Sequence, residues 1–395
     1  MVKKSFNVKS GYVSDNTVKL IHGGSEYFEL LENLIDGAKE IIHLQVYIFE
    51  DDETGMKIAN ALIKAAQRGV QVYLLLDGYA SRPLSSEFTQ GMKTSGVYLR
   101  WFQPLFKADS FFVGRRMHHK IFVADASRSL VGGLNISDRY NDMPGVPAWL
   151  DWAVYVVGQT SVELHNRCVQ MWFRKPPARR NVPSIKPATV DECLVRVRIN
   201  DWFRNKNQIS RSYGDMLRYG QKSVTFMSSY FMPGRIFRKN LRLASHRGIR
   251  VRIILTKISD VFIAKQAERF FYPWLLRRNV EIYEYRKKVL HGKIAVCDDL
   301  WSTIGSYNLN DLSAYVSIEL NLDIHNPKFS QALADTLENI IQNDCDHITE
   351  ESLIRSTNWW NRVIYRIGYA VGRMFLIVFT FPLNRERPLN KTRSK

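Results

Sequence analysis

An internal repeat constrains this 395-residue chain more than any other feature, because it requires two units of like fold. The apolar segment IIHLQVYIF begins at Ile41 and is followed by MKIANALIKAAQRG, with helical spacing and a terminal Gly69, and then by VQVYLLLDG. The second half repeats this order with SVTFMSSYF from Ser223, RKNLRLASHRG and IRVRIIL. Strand–helix–strand order in both halves, with near-continuous apolar strands, predicts two similar α/β domains.

Each half of the repeat ends in the same set of polar residues. The first set lies in HHKIFVADASRSLVGGLN and the second in HGKIAVCDDLWSTIGSYN. In both, Lys follows His by two positions, Asp follows Lys by five, and Asn follows Asp by ten. One His-x-Lys pair is common by chance, whereas two copies with identical spacing indicate a functional site. The candidate catalytic residues are His118, Lys120 and Asp125 from the first copy, and His291, Lys293 and Asp298 from the second.

These side chains suit the chemistry of a phosphodiester. Residues two apart in a strand face the same side, so each imidazole should lie beside the ammonium of its lysine. If the halves pack about a pseudo-two-fold axis, both pairs meet in one shared active site. One imidazole can then attack phosphorus while the other protonates the leaving alkoxide. Lysine ammonium groups, with donors from Asn135, Ser306 and Asn308, would bind the phosphoryl oxygens. The sequence has no His, Cys or carboxylate cluster that suggests a metal, and no cofactor is expected.

The double motif resembles the signature of the phospholipase D superfamily, HxKxxxxD followed by GSxN. The resemblance extends over about residues 20 to 350 and is strongest to the bacterial cardiolipin synthases of the shorter form, through FEDD, LLLDGYAS, RRMHHK, GGLN, LHGK and NWWN. It implies two phospholipase D-like domains that share one active site. It also implies phosphatidyl transfer between two phosphatidylglycerol molecules, which yields cardiolipin and glycerol through a phosphohistidine intermediate and without a metal.

The resemblance assigns roles to single residues. It implies that His118 carries the phosphatidyl group, while His291 exchanges protons with the leaving and entering alcohols. The family orients each histidine with an acidic residue beyond the motif. Glu319 in VSIELNL matches this role for His291, and Asp151 in WLDWAVYV matches it for His118.

Three other positions near the motifs carry expectations of their own. Asp125 and Asp298 are part of the written motif, although the resemblance implies that they tend to be structural. Gly133 stands where the motif has Ser, so the two half-sites should not be equivalent. His119 should point to the opposite face from His118 because side chains alternate along a strand.

The charge of the chain narrows the class of partner. Lys and Arg number 56 against 38 Asp and Glu, and the resulting +18 favours nucleic acid or an anionic membrane. The tryptophan-rich, apolar C-terminal region favours lipid, since binding to a DNA backbone does not need it. The expected partners are phosphatidylglycerol, other anionic phospholipids and a membrane surface, without nucleic acid, and the oligomeric state is open. Two alternatives remain: a phosphodiesterase or nuclease that uses water as acceptor, and a catalytically silent membrane-binding scaffold.

Shifts in composition divide the chain and predict its location. NWWNRVIYRIGYAVGRMFLIVFTFPL, from Asn358, is apolar but carries Arg362, Arg366 and Arg373, which predicts a helix in the membrane interface. A spanning helix and a helix packed on the protein body are the alternatives. The N-terminus has no apolar signal-peptide core, so no cleaved signal peptide is expected. The interfacial helix and the resemblance to bacterial cardiolipin synthases imply peripheral association with a bacterial inner membrane. The predicted divisions are a first domain over 1–173, a proline-rich basic linker over 174–189, a second domain over 190–350 and an amphipathic segment over 351–395.

Overall fold

The computed structural model describes residues 11–104, 106–107, 110–111, 115–174, 193–201, 204, 206–310 and 317–385. Apart from Arg174, the predicted linker lies outside the described residues. The helices are α1 Ser25–Asp36, α2 Glu53–Gln67, α3 Ser86–Thr94, α4 Gln159–Phe173, α5 Gln208–Tyr219, α6 Arg235–His246, α7 Phe262–Arg269, α8 Tyr272–Leu276, α9 Pro327–Asp344, α10 Glu350–Ser356 and α11 Trp359–Arg385. The strands are β1 Asn16–His22, β2 Ile41–Val46, β3 Gln71–Asp77, β4 Tyr98–Phe102, β5 Phe106–Lys107, β6 Ser110–Phe111, β7 Arg116–Met117, β8 Lys120–Ala124, β9 Arg128–Gly132, β10 Trp152–Gly158, β11 Leu194–Asp201, β12 Lys206–Asn207, β13 Ser223–Ser228, β14 Arg250–Ile258, β15 Val280–Val289, β16 Ile294–Cys297, β17 Trp301–Gly305, β18 Ser317–His325 and β19 Cys345–Ile348.

The two halves form sheets of matching topology. Within the described residues, the first half builds a seven-stranded sheet in the order β1-β10-β9-β8-β2-β3-β4. The ten-stranded sheet of the second half has the order β11-β18-β17-β16-β13-β14-β15 at its centre. In each sheet a parallel strand–helix–strand unit adjoins an antiparallel hairpin. The predicted mixed α/β fold with an internal repeat is thereby confirmed.

Local sequence signals explain the first strand–helix–strand unit. The Asp52 side chain caps α2 by accepting a hydrogen bond of 2.9 Å from the Gly55 N–H. The chain leaves the helix at Gly69, whose φ of 91° favours glycine. It then re-enters the sheet as β3, parallel to β2.

Alternation along the strands lets the two sheets pack against each other. In β8, Phe122 and Ala124 belong to the core beneath the first-half helices. Ile121 and Val123 point the other way, into a core cluster that also contains Ile294 of β16. The halves therefore share a buried apolar interface between their sheets.

Short backbone contacts across this interface hold both motif histidines. Strand β7 of the first half pairs in parallel with the start of β18, and the His118 N–H donates to the Ile318 carbonyl at 3.0 Å. In the same way, the His291 N–H donates to the Leu150 carbonyl at 2.8 Å. The backbone of each histidine is thus fixed by the opposite half.

The C-terminal helix α11 packs on the protein body along one face. Tyr365 is buried, and the Tyr369 ring stacks on Phe270 with 4.5 Å between ring centroids. Trp359 and Trp360, in contrast, are 61% and 59% exposed. One face of α11 therefore packs on the protein body, as one of the alternatives stated. Placement of the exposed residues of α11 in the membrane interface stays a prediction. In the described part of the chain, no helix is long and apolar enough to cross a membrane.

Candidate active site

Both His–Lys pairs lie in one buried cleft where the two halves meet. Burial lowers the pKa of His118, and the charges of Lys120 and Lys293 lower it further, whereas Glu319 raises it. Burial likewise lowers the pKa of His291, and Lys293 and Lys120 add to that effect. The charges of both lysines, one from each half, therefore act on each imidazole, as a single shared site requires.

Each histidine is oriented by a carboxylate, but the expected pairing was wrong. His118 Nδ1 lies 2.9 Å from the Glu319 carboxylate. His291 Nδ1 lies 2.6 Å from Asp151 Oδ2. The reason is the backbone pairing across the interface, which sets His118 against β18 and His291 against residue 150. Each histidine is therefore oriented by the carboxylate that follows the motif of the other half: Glu319 contacts His118, and Asp151 contacts His291.

Gly133 makes room for the Asp151 carboxylate. A Cβ atom at Gly133 would collide with both carboxylate oxygens of Asp151. In the second half, Ser306 occupies the matching position and its Oγ donates to Glu319 at 2.5 Å. The shorter Asp151 side chain thus lies against Gly133, and the longer Glu319 side chain lies against Ser306. The two half-sites differ, as expected.

This packing predicts that Gly133→Ser lowers activity by roughly 10- to 100-fold, the usual effect of removing a partner that orients a functional imidazole. The new side chain would displace Asp151 and release His291 from its orientation. Turnover of a lipid substrate and thermal unfolding should be measured together. Gly91→Ser is the matched control, because a Cβ there meets nothing within 4 Å. Full activity in Gly133→Ser would show that Asp151 tolerates displacement.

The lysines turn back toward the backbone of their own histidines. Lys120 Nζ donates to the His118 carbonyl at 2.5 Å, and Lys293 Nζ donates to the His291 carbonyl and to Ser229 Oγ. The histidines lie just before strands β8 and β16 rather than within them, although each imidazole still lies close enough to its own lysine for the lysine charge to lower its pKa. Burial lowers the pKa of Lys120 to about 7 and that of Lys293 to about 8. A bound phosphodiester anion would favour the charged form of both.

Asp125 and Asp298 are structural, so including them among the catalytic residues was wrong. Both have a positive φ and lie in the turns after β8 and β16, at the ends remote from the histidines. The Asp125 carboxylate accepts backbone N–H groups of residues 39–41, and Asp298 accepts those of residues 221–223. They fix the starts of β2 and β13.

The motif asparagines have different surroundings. Asn135 Oδ1 accepts from the Ile48 N–H at 3.1 Å, and its Nδ2 donates to the Tyr140 hydroxyl at 2.8 Å. That hydroxyl lies 3.5 Å from His291 Nε2. Asn308 is buried, and its Oδ1 has no hydrogen-bond partner among the described residues.

His119 points away from the cleft, as expected. Its Nε2 lies 2.9 Å from Gln45 Oε1 in a buried contact. The ring of Tyr47, expected to be core or cleft wall, lies against His118 with 4.7 Å between centroids. Tyr47 therefore forms a wall of the cleft.

Tyr140 and Ser229 were missed by sequence reasoning. Ser229 directly follows β13, as Tyr47 directly follows β2, so aligning the two repeats could have pointed to it. Tyr140 lies five residues beyond the first motif asparagine, and no repeat signal marks it. Its position depends on the short 3-10 helix Asp138–Tyr140.

Matched residues at two strand ends position the backbone before each histidine. The Met117 N–H donates to Asp77 Oδ2 at 2.8 Å at the end of β3. The Leu290 N–H donates to Thr256 Oγ1 at 3.3 Å near the end of β14. The sheets thus fix both motif segments from their own half as well as from the opposite one.

Comparisons with known proteins agree with this architecture. The family model described as "Cardiolipin synthase, PLD-like domain" matches residues 31–144 and 214–341. Cardiolipin synthase B of Salmonella typhimurium is 35% identical over 364 residues, which cover 90% of this chain and 87% of the relative. Cardiolipin synthase 1 of Bacillus anthracis is 30% identical over 346 residues, which cover 85% of this chain and 67% of that relative.

A solved structure shows the same fold at low sequence identity. Phosphatidylserine synthase of Haemophilus influenzae superposes with a TM-score of 0.68 at 16% identity, covering 91% of this chain and 93% of that one. Fold, paired motifs and sequence identity agree. The chain therefore belongs to the phospholipase D superfamily and, within it, to the cardiolipin synthase family of phosphatidyltransferases.

Proposed function

We propose that this enzyme transfers a phosphatidyl group from one phosphatidylglycerol molecule to a hydroxyl of a second, which yields cardiolipin and glycerol. The observation that carries the proposal is the cleft with two histidines, each held by a carboxylate, and two buried lysines. Such a site can both form and resolve a phosphohistidine. The identity to curated cardiolipin synthases supports phosphatidylglycerol as the substrate.

The proposed reaction has two balanced steps. First, His118 Nε2 forms a bond to phosphorus, the bond from phosphorus to the glycerol oxygen breaks, and His291 gives that oxygen a proton. Next, His291 takes the proton from a hydroxyl of the second phosphatidylglycerol. The resulting oxygen attacks phosphorus and the bond to His118 breaks. Lys120 and Lys293 balance the charge that develops on the phosphoryl oxygens.

Two observations favour His118 as the nucleophile. Its side chain is 17% exposed, against 8% for His291, so it is the more accessible to a bulky phosphorus centre. The Tyr140 hydroxyl lies close to His291 Nε2 and suits a group that exchanges protons rather than one that attacks. The assignment agrees with the family resemblance.

The charge of the substrate prepares His291 for its role as an acid. Burial and the two lysines hold the pKa of His291 well below its usual range. Burial also raises the pKa of Asp151 to about 7, a shift that Lys293 opposes. A phosphodiester anion bound between the lysines offsets their charge and so raises the pKa of His291. Protonation of the acid would thus be coupled to substrate binding.

We also propose that the enzyme works at the surface of a bacterial inner membrane. The net charge of +18 and the exposed tryptophans of α11 support attachment to an anionic bilayer.

The decisive experiment gives the purified enzyme phosphatidylglycerol alone in detergent and identifies the products by mass. Equal amounts of cardiolipin and glycerol are expected, and a His118→Ala/His291→Ala double variant should form neither. Phosphatidate with glycerol would instead identify water as the acceptor. Absence of any product from the unaltered enzyme would exclude phosphatidylglycerol as the donor and overturn the proposal.

We expect activity to survive saturating EDTA. Among the described residues, no group of three or more His, Cys, Asp or Glu side chains could hold a metal ion, and the lysines supply positive charge instead. Initial rates should be compared with and without chelator at matched ionic strength, since ions also alter lipid aggregation. A loss that one divalent ion restores would contradict this expectation.

A further inference from the structure

A second cavity lies beneath the C-terminal helices and contains none of the catalytic residues. Its volume is about 660 Å³, and residues of α6, α7, α8, α10 and α11 contribute to its lining. Phe270, Phe271 and Trp274 supply aromatic surface. The space is therefore independent of the catalytic cleft and has both apolar and polar walls.

The charged residues of this cavity are almost all positive. Glu350 is the single carboxylate among the described lining residues. Arg269 is balanced in part by Glu284, at 3.2 Å. Such a surplus of guanidinium groups around one cavity favours an anion, and guanidinium binds phosphate with particular geometric specificity. The lining arginines are Arg238, Arg269, Arg277, Arg362 and Arg366.

Two of the arginines have unused buried donors. The Nε atoms of Arg238 and Arg269 are buried without a hydrogen-bond partner in the described part of the structure. The Arg238 guanidinium lies 5.8 Å from the centre of the Phe271 ring, and both residues line the cavity. A buried donor without an acceptor is unfavourable, so these atoms favour a ligand that brings acceptor oxygens.

The surroundings of the cavity are apolar and exposed. Ile354, which lines the cavity, is 67% exposed, and Ile367 on α11 is 57% exposed. Trp359 and Trp360 lie at the start of the same helix. A basic cavity bordered by exposed apolar side chains matches a molecule with an anionic headgroup and acyl chains.

We propose that this cavity binds the phosphate headgroup of an anionic phospholipid and thereby anchors the enzyme to the membrane at a site separate from the catalytic cleft. The lipid remains in the bilayer, with its phosphate among the arginines and its chains beside the exposed residues of α10 and α11. A free phosphate ion would satisfy the arginines but would leave the apolar border without a partner, so the lipid is the favoured source. The inference rests on the proposed action at a membrane surface.

The test measures sedimentation of the full chain with phosphatidylcholine vesicles that contain phosphatidate, which has no alcohol leaving group. Arg362→Gln/Arg366→Gln should weaken binding roughly 30-fold, since each basic residue near an anionic surface contributes about fivefold. Lys64→Gln/Lys93→Gln is the matched control because it removes the same charge from exposed positions in α2 and α3. Equal losses in both double variants would show that net charge alone is responsible and would overturn the proposal.

Arg238→Gln distinguishes lipid binding in the cavity from lipid binding on the outer surface of the protein. Because Arg238 lines the interior and its Nε is buried, its substitution should weaken binding to phosphatidate vesicles several-fold while leaving the weak binding to pure phosphatidylcholine unchanged. Unaltered binding would show that the cavity is not occupied. Inorganic phosphate, added at constant ionic strength, should displace the enzyme far less than a soluble short-chain phosphatidate does. Equal displacement would identify a site for free phosphate and contradict the lipid assignment.

Turnover of a short-chain phosphatidylglycerol that is monomeric in solution distinguishes this inference from the proposed function. All of these variants should keep that activity within about twofold, because monomeric substrate needs no membrane anchor and they leave the catalytic cleft intact. Loss of vesicle binding with intact turnover supports the cavity. Absence of turnover in the unaltered enzyme would contradict the proposed function and leave the binding result standing.

Discussion

His118→Ala should abolish turnover of both phosphatidylglycerol and a p-nitrophenyl phosphatidyl ester, whereas His291→Ala should spare the first step with the ester. The p-nitrophenolate group leaves without a proton, so it does not need the acid that glycerol requires. Loss of a general acid typically slows a reaction by about 10²- to 10⁴-fold, and this loss is expected for His291→Ala with phosphatidylglycerol. With the ester, His291→Ala should slow the burst of p-nitrophenolate by less than about tenfold. The larger loss of rate should appear in the second step, in which His291 accepts the proton of the entering alcohol.

The burst and the covalent adduct are two independent tests of which histidine is the nucleophile. Stopped-flow absorbance measures release of p-nitrophenolate, and peptide mapping locates the phosphatidyl group on enzyme kept alkaline, since phosphohistidine is acid-labile. The adduct is expected on His118. An adduct on His291 would reverse the two roles while leaving a mechanism with two histidines in place.

The carboxylates should follow the histidines that they contact across the interface. Glu319→Gln should slow the burst with the activated ester by about 10²-fold, because the amide no longer holds the His118 imidazole in its reactive form. Asp151→Asn should slow turnover of phosphatidylglycerol by a similar factor but largely spare the burst, since it acts on His291.

Pairing within each half predicts the reverse pattern, so the two substitutions test the crossed arrangement directly. Both replacements conserve volume, and thermal unfolding controls for damage to these buried positions. A burst that is slow in Asp151→Asn and normal in Glu319→Gln would contradict the contacts to His118 and His291.

Those features of the fold that depend on local pattern could be predicted from the sequence. The repeat, the parallel strand–helix–strand units and the matched motifs follow from apolar periodicity and spacing, which act over a few residues. The convergence of His118 and His291 also follows, once two like domains are placed about an axis. Gly133 was recognised as a departure that makes the half-sites unequal, but the room that it leaves for Asp151 was not predicted.

Contacts between distant segments could not be predicted in the same way. The crossed carboxylates depend on the pairing of Met117 with Ile318, two residues that no spacing rule relates. Whether the C-terminal helix packs on the body depends on Tyr369 meeting Phe270, which amphipathic periodicity cannot distinguish from meeting lipid. The assignment of Asp125 to catalysis failed because a motif position does not reveal which end of a strand faces the cleft.

The support of each imidazole by the opposite half has a consequence for how the enzyme can fail. Any opening of the interface between the sheets would withdraw Glu319 from His118 and Asp151 from His291 in the same event. A partly opened molecule would therefore lose the orientation of the proposed nucleophile and of the proposed proton donor together, rather than one after the other. If the interface opens before the first step, the proposed covalent capture of a lipid is therefore prevented at its start, because His118 and His291 lose their carboxylate partners together.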